Sequence, residues 1–532
     1  MSIRRRDFLA ALAGGSLTVV DWLGYFRRFG VPGSSKLPGI AEAVAQQQNN
    51  PRFLVYWFQE GGWDGYSMFN PVDTPNHAAM TISPNQLHPT PPYSQQRYRP
   101  KGFGTGEKHL TKKQGNISYG YLAQDGLPLF PDMAVVASHQ GSTFHSGGRF
   151  DLHYGTYNRN LTAQRQPDER TVLQNFAESY GASLLLPHVS WHRWLSDGEL
   201  SIASYPEGTG YYEKLGPAHA HTIYGRTPAD LKQRLMAIGS LANNLRDARI
   251  RELVGRRHEN FIKDKNSDSV RSFASAVKIH RSMVSGGLTI DPSKLFVNPT
   301  LKAEFGVTAE DEQTSATSVN GNPARSKDTP NVNVQAMMAY ELMLNGLSCC
   351  FWIENREIRG FDTHRSRKGI YDNDGQTDQL PRMRRDLWTP LKVFVNKLKT
   401  TECPGTGKPF WDFTTIVLCS EMGRTIEGNV EDILASADST EVKFQKIMDQ
   451  DCCQHWRTNS AVFLGGRVKG DAQYGRVGTE TLAPIPIMPD GSLDPNFDPV
   501  TGRLLPGKNG KQATSFIPDP GHLYATALHL SG

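Results

Sequence analysis

Residues 52–58 read Arg52-Phe53-Leu54-Val55-Tyr56-Trp57-Phe58, and Glu60-Gly61-Gly62-Trp63-Asp64-Gly65 follows almost at once. A short, uninterrupted apolar run closed by glycines is the pattern of a strand buried on both faces, with its exit loop behind it. Strands of that kind belong to parallel sheets covered by helices. Working outward, Met133–Ser138, Ser348–Ile353, Phe413–Cys419 and Ser460–Gly465 repeat the pattern. Helical spacing fills the intervals, at Val334–Leu347, at Leu387–Leu398, and at Leu231, Leu235, Ile238, Leu241 and Leu245 within 227–290. Gly147–Tyr157 opens a further helix and His522–Leu530 forms the last. Strands alternating with helices predict an α/β fold with a largely parallel sheet. Residues 70–128, 308–330 and 471–518, rich in Pro, Gly, Ser, Asn or Asp, read as loop insertions. No internal repeat is visible.

The N-terminus carries a different signal. Arg5-Arg6-Asp7-Phe8-Leu9 matches the core of a twin-arginine export signal. The apolar stretch Leu9–Val20 behind it falls short of the roughly 20 residues that a membrane-spanning helix needs. Ala43-Val44-Ala45 offers a small-x-small cleavage pattern before the polar run Gln46–Asn50. The bland alternative is a basic, amphipathic helix. Residues 1–45 are therefore expected to be a signal peptide read by the twin-arginine translocase, and 46–532 a single exported, periplasmic domain. No later segment is apolar enough to act as a membrane anchor.

Composition narrows the partners. The formal charge of +5 includes an excess of three positive charges within residues 1–45, so the remainder is nearly neutral. That excludes the electrostatic footprint of a nucleic-acid binder. The six cysteines contain no Cys-x-x-Cys, which argues against structural zinc. An oxidising compartment permits disulfides, but spacing does not define their pairing.

In parallel sheets, ligands gather beyond the carboxyl ends of the strands. Those ends hold a suggestive set: Glu60 to Gly65; Ser138-His139, then Thr143, His145 and Arg149; Gly360-Phe361-Asp362-Thr363-His364; and Ser420-Glu421-Met422-Gly423-Arg424-Thr425. His455 stands just before the strand at 460–465. Carboxylates with imidazoles are the donors that a hard or borderline divalent cation takes. Singly, each has an ordinary reading: a capped turn for Asp362 and His364, a helix-cap partner for Glu421, a hydrogen-bonded buried histidine for His455. Their shared position at strand ends is what joins them.

Gly-Gly-Trp-Asp-Gly, then Gly-Phe-Asp-Thr-His, then Ser-Glu-Met-Gly-Arg-Thr, then a histidine ahead of Gly465-Gly466-Arg467-Val468-Lys469-Gly470 occur in an order that resembles the exported bacterial family called domain of unknown function 1501. The resemblance runs from about Pro51 to the C-terminus. That family is similar to the alkaline-phosphatase-like superfamily of sulfatases, phosphatases and phosphoglycerate mutases. The resemblance implies a three-layer α/β/α sandwich. It places Asp64 or Glu60 as the metal-binding acid after the first strand, Asp362 and His364 as an acid–histidine contribution, and His455 as the late metal histidine. It also implies a nucleophile at the opening of a helix with an arginine four positions on, which Arg149 supplies. Here the nucleophile slot holds His145, with Thr143 and Ser146 as neighbours. Glu421 stands where the superfamily has an Asp-His pair, and Met422 replaces the histidine. One divalent ion is therefore expected rather than two, held by Asp64, Asp362, His364, Glu421 and His455.

Two functions compete on this reading. In the first, the chain hydrolyses sulfate or phosphate esters. The ion activates water, Arg149 and Arg424 hold the anion, and His145 serves as ligand, base or nucleophile. In the second it is a catalytically silent relative that keeps the fold and binds a partner or polysaccharide.

Overall fold

The computed structural model describes residues 51–63, 65, 68–70, 111–141, 148, 151–153, 155, 171–181, 184, 186, 188–191, 222–224, 228–229, 231–233, 236, 292–309, 311–312, 331–355, 380, 383–424, 455–456, 458–478, 483–500 and 502–531. Its strands in chain order begin with β1 (Phe53–Gln59), β2 (Lys112–Gln114), β3 (Ile117–Tyr119), β4 (Met133–Gln140), β5 (His188–Ser190) and β6 (Thr222–Tyr224). Next come β7 (Cys350–Asn355), β8 (Glu402–Cys403), β9 (Lys408–Pro409), β10 (Thr414–Cys419) and β11 (Gly423–Arg424). The last are β12 (His455–Trp456), β13 (Thr458–Gly465), β14 (Ala472–Tyr474), β15 (Arg476–Val477) and β16 (Pro484–Ile485). The described helices include α1 (Val172–Tyr180), α2 (Pro299–Glu304), α3 (Val332–Leu344), α4 (Thr389–Thr400) and α5 (Pro520–Ser531).

Eight strands form the main sheet in the order β14-β4-β13-β10-β1-β7-β5-β6. β1 lies between β10 and β7, parallel to both. Every residue of β1, β7, β10 and β13 is buried, which is why these strands read as unbroken apolar runs. β13 is the exception to the parallel pattern, since it runs antiparallel to both β10 and β4. The fold is thus α/β with a mixed, largely parallel sheet.

Alternation along β1 sends neighbouring side chains to opposite layers. Trp57 meets Phe394 of α4 edge-on at 5.9 Å on one face. Tyr56 stacks on Trp352 at 5.5 Å on the other, where the Sγ of Cys350 donates to the carbonyl of Leu173 in α1. α3 is buried on nearly all sides (Val332, Val334–Met343), so it shows little of the amphipathic pattern that α4 keeps with Lys397 and Lys399 in its last turn.

Two segments differ from the sequence reading. Within 70–128, the described part contains the hairpin β2–β3 and the start of a 3-10 helix, Tyr121–Asp132. Within 471–518, β14 joins the main sheet parallel to β4. All three of its residues are only half-buried, so a three-residue edge strand left no apolar run to read. Cys349, Cys350, Cys403 and Cys419 are buried.

Candidate functional site

Because β4, β10, β1 and β7 run the same way, their carboxyl ends meet at one edge, and the antiparallel β13 starts there. The edge is polar although it is buried: Ser138, His139, Ser420, Glu421, Thr458, Asn459 and Ser460 all lie there with almost no exposure. Buried polar groups demand partners; the side chains of Ser420, Glu421 and Asn459 have them, whereas the hydroxyls of Ser138, Thr458 and Ser460 and the His139 ring do not.

Glu421 is the centre of this network. Its Oε1 accepts from the Gly61 amide at 2.8 Å, and its Oε2 accepts from the Ser420 hydroxyl at 3.0 Å. That hydroxyl also accepts from the Trp63 amide at 3.1 Å. Gly61 and Gly62 have φ of 110° and 71°, a left-handed turn that favours glycine and aims the amides of 61 and 63 at the β10 exit. Asn459 completes the junction. Its Nδ2 donates to the carbonyls of Ser420 (3.2 Å) and Met422 (2.6 Å), while its Oδ1 accepts from the Trp63 indole and from the Ser460 amide.

Two glycines let further segments approach. A Cβ on Gly148 would lie 2.2 Å from the Glu421 carbonyl oxygen, so the helical turn at 148 can rest on Glu421 only without a side chain. A Cβ on Gly423 would lie 2.0 Å from the Thr458 carbonyl oxygen. There β11 and β12 pair as a small antiparallel ribbon, with Arg424 directly opposite His455.

The expected site residues divide accordingly. Glu421 stands at the edge as a buried carboxylate. Arg424 and His455 are brought face to face as backbone partners at the same edge. Asp64, His145, Arg149, Asp362 and His364 lie outside the described residues. The neighbours of Asp64 are described: Trp63 bonds Asn459, and a Cβ on Gly65 would lie 3.9 Å from the Asn459 Oδ1. Among the described residues, no group of three or more His, Cys, Asp or Glu side chains is gathered closely enough to hold a metal ion.

Sequence reasoning missed three features here. Asn459 gave no signal beyond a polar residue opening a strand. His139 was quoted at the end of β4 but not singled out. Its ring is buried, neither ring nitrogen has a hydrogen-bond partner, and burial holds it at about 4, only partly offset by the Gln140 backbone and Asp519. The third lies along β7: the His153 ring stacks on Trp352 at 3.6 Å, and the Trp352 indole donates to Glu354 Oε2 at 3.3 Å. All three residues are buried. The thiol of Cys419 is raised well above its ordinary value by burial and by Glu421, so it is no nucleophile.

The buried titratable side chains described at this edge include the Glu421 carboxylate and the His139 imidazole. No family model, curated protein or solved structure matches this chain.

Proposed function

We propose that the chain is an exported, metal-dependent hydrolase of sulfate or phosphate esters, built on an alkaline-phosphatase-like three-layer sandwich and related to domain of unknown function 1501. The observation that carries this reading is convergence. The Gly61–Trp63 turn, the turn at Gly148 and the Ser420–Glu421 exit are far apart in sequence, yet they meet around Glu421, and three residues on Arg424 pairs with His455, at the edge where parallel sheets place their ligands.

Asp64, Asp362, His364, Glu421 and His455 would hold the ion, which when bound supplies Lewis acidity and a lowered water pKa. Gly61 N–H and Ser420 Oγ fix the Glu421 carboxylate, the kind of outer contact that orients a ligand before it binds. Arg424 and Arg149 hold the ester's anionic oxygens, since guanidinium forks match sulfate and phosphate. His145 serves as a further ligand or as the base that takes a proton from water. Delivery through the twin-arginine translocase to the periplasm completes the reading. No helix among the described residues is long and apolar enough to cross a membrane.

One feature favours a second reading, a silent relative that binds without turnover: His145 occupies the slot where a Ser, Thr or Cys nucleophile would be expected. A single experiment separates the two. Protein starting at Gln46, purified without chelator, is assayed for bound divalent ion and for cleavage of aryl sulfate and aryl phosphate. The hydrolase reading expects about one ion per chain and turnover abolished by chelator and by Arg149→Ala. A folded, ion-free and inert protein would establish the silent relative.

A further inference from the structure

The start of α5 carries a carboxylate–imidazole pair that the candidate site leaves unused. Asp519 precedes Pro520, the first residue of α5, and its Oδ1 accepts from the His522 amide at 3.0 Å. That contact is an ordinary N-cap. A cap needs nothing from the ring of the residue it holds, yet the same oxygen lies 2.6 Å from the His522 Nδ1. The Phe516 ring lies almost parallel to the imidazole, 4.7 Å away with 13° between the planes, and Phe516 is itself bridged to Ile487. A carboxylate at one edge and an aromatic face against one side fix the ring's rotation and tilt.

The protonation pattern follows from the partners. Burial raises the Asp519 carboxyl, but its bonds from His522 outweigh that and hold it below the ordinary carboxylate range, so it is ionised at neutral pH. An ionised carboxylate only accepts, so Nδ1 carries the hydrogen and the neutral ring keeps its lone pair on Nε2. Nε2 lies across the ring from Nδ1, and the His522 side chain is 47% exposed. A base oriented by a third group is the arrangement that activates a nucleophile.

Position ties the pair to the candidate site. Gln140, the last residue of β4, donates its amide to the Pro518 carbonyl at 2.7 Å, and a Cβ on Gly521 would lie 2.9 Å from the Gly155 carbonyl oxygen. Close along the chain, both of those segments reach Glu421. A Cβ on Gly141 would lie 3.6 Å from the Glu421 carbonyl oxygen, and one on Gly148 2.2 Å from it. The two segments that rest on the Glu421 main chain are thus the two that hold the start of α5.

We propose that His522 is the general base of the hydrolase, with Asp519 as its positioning residue. The inference rests on the hydrolase reading above and leaves His145 the role of ligand. Nε2 takes a proton from the attacking water as its oxygen bonds to phosphorus or sulfur. The bond to the ester oxygen breaks, and the departing oxygen takes up the proton. Alcohol and free anion result, and the ring ends neutral, with no redox change.

The test uses protein from Gln46, purified without chelator and assayed on aryl phosphate and aryl sulfate. His522→Ala is expected to lower kcat about 100-fold with KM and the thermal midpoint nearly unchanged, and added imidazole should restore part of the rate. Asp519→Asn keeps the cap, since Asn caps as well as Asp, yet it should lower kcat at least about 10-fold because the tautomer is no longer enforced. His522→Gln gives the same comparison should the alanine variant fail to fold. Equal kcat in wild type and His522→Ala overturns the base role and leaves the hydrolase standing. A loss that imidazole does not relieve, with a lowered thermal midpoint, makes the pair a helix cap alone and overturns the proposal. A wild type that cleaves neither ester overturns the hydrolase reading itself, and the role of His522 with it.

Discussion

The indole N–H of Trp63 donates to the side-chain oxygen of Asn459, joining two residues 396 positions apart in the chain. Through this bond the exit loop of β1 and the start of β13 are tied to the β10 exit between them. Asn459 is fully committed there, with both amide hydrogens donated and its oxygen accepting twice. No other side chain of this size supplies two donors and an acceptor from one planar group.

Asn459→Ala would strip partners from the Trp63 indole and from two buried carbonyls. Each orphaned group costs about 1–3 kcal/mol, so a loss of at least about 3 kcal/mol is expected from urea unfolding. A loss below about 1 kcal/mol would mean that the clamp is open in solution.

Gly148→Ala introduces a Cβ where the Glu421 carbonyl oxygen already stands, at 2.2 Å. Both atoms in conflict belong to backbone or are fixed to it, so relief requires moving the helical turn. Overpacking of this kind costs about 1–3 kcal/mol. The expected signature is a lowered thermal midpoint together with weakened divalent-ion uptake. A variant that melts with the wild type and binds ion equally would place the turn away from Glu421.

The four described cysteines are buried. Burial raises the thiols of Cys349, Cys350 and Cys419 far above their ordinary value, and that of Cys403 to about 11. Thiolate is the reactive form, so alkylation of the native protein at pH 8 should leave these positions unlabelled by peptide mapping, and denaturant should expose all four. Rapid native labelling at Cys419 would contradict its place in the core.

Stability should respond to pH through His139. Its pKa falls from 6.5 in the unfolded chain to about 4 in the folded one. Between those values the unfolded chain binds more protons, so unfolding free energy rises with pH. This contribution is complete above pH 6.5 and is lost on acidification towards pH 4, a change of up to about 3 kcal/mol. Other groups titrate too. For Asp519, burial raises the carboxyl, but its bonds to His522 outweigh that and hold it below the ordinary carboxylate range, so its effect falls at lower pH. The difference between wild type and His139→Leu isolates the histidine, and a parallel pair of stability curves from pH 4 to 6.5 would refute the assignment.

Arg5→Lys with Arg6→Lys should leave the precursor in the cytoplasm, because two ammonium groups lack the planar fork of paired guanidiniums. Cell fractionation reads this directly, and undiminished export of the double variant would remove the twin-arginine assignment.

Much of the fold was legible because burial on both faces writes itself into composition. β1, β7, β10 and β13 each overlap a run picked out by apolar content alone, with Gln59, Glu354, Asn355, Thr458 and Asn459 beyond those runs, and α4 was picked out by its spacing. The short edge strand β14, half-buried and without a run, was not. Glu421 was legible as a polar residue just past a buried strand, yet nothing in its neighbourhood of the chain announced Gly61 as its donor.

What the sequence determined by itself was local: which segments are strands, which are helices, and where glycines and acids interrupt them. Each depends on the preferences and burial pattern of a few consecutive residues. The tertiary structure decided the rest: that β13 turns antiparallel between β10 and β4, that Arg424 therefore stands opposite His455, and that Asn459 clamps three strand ends while His139 beside it goes unbonded. Strand order and register bring together groups hundreds of residues apart. Hydrogen bonds over such separations depend on where the whole chain closes, so no local pattern can encode them.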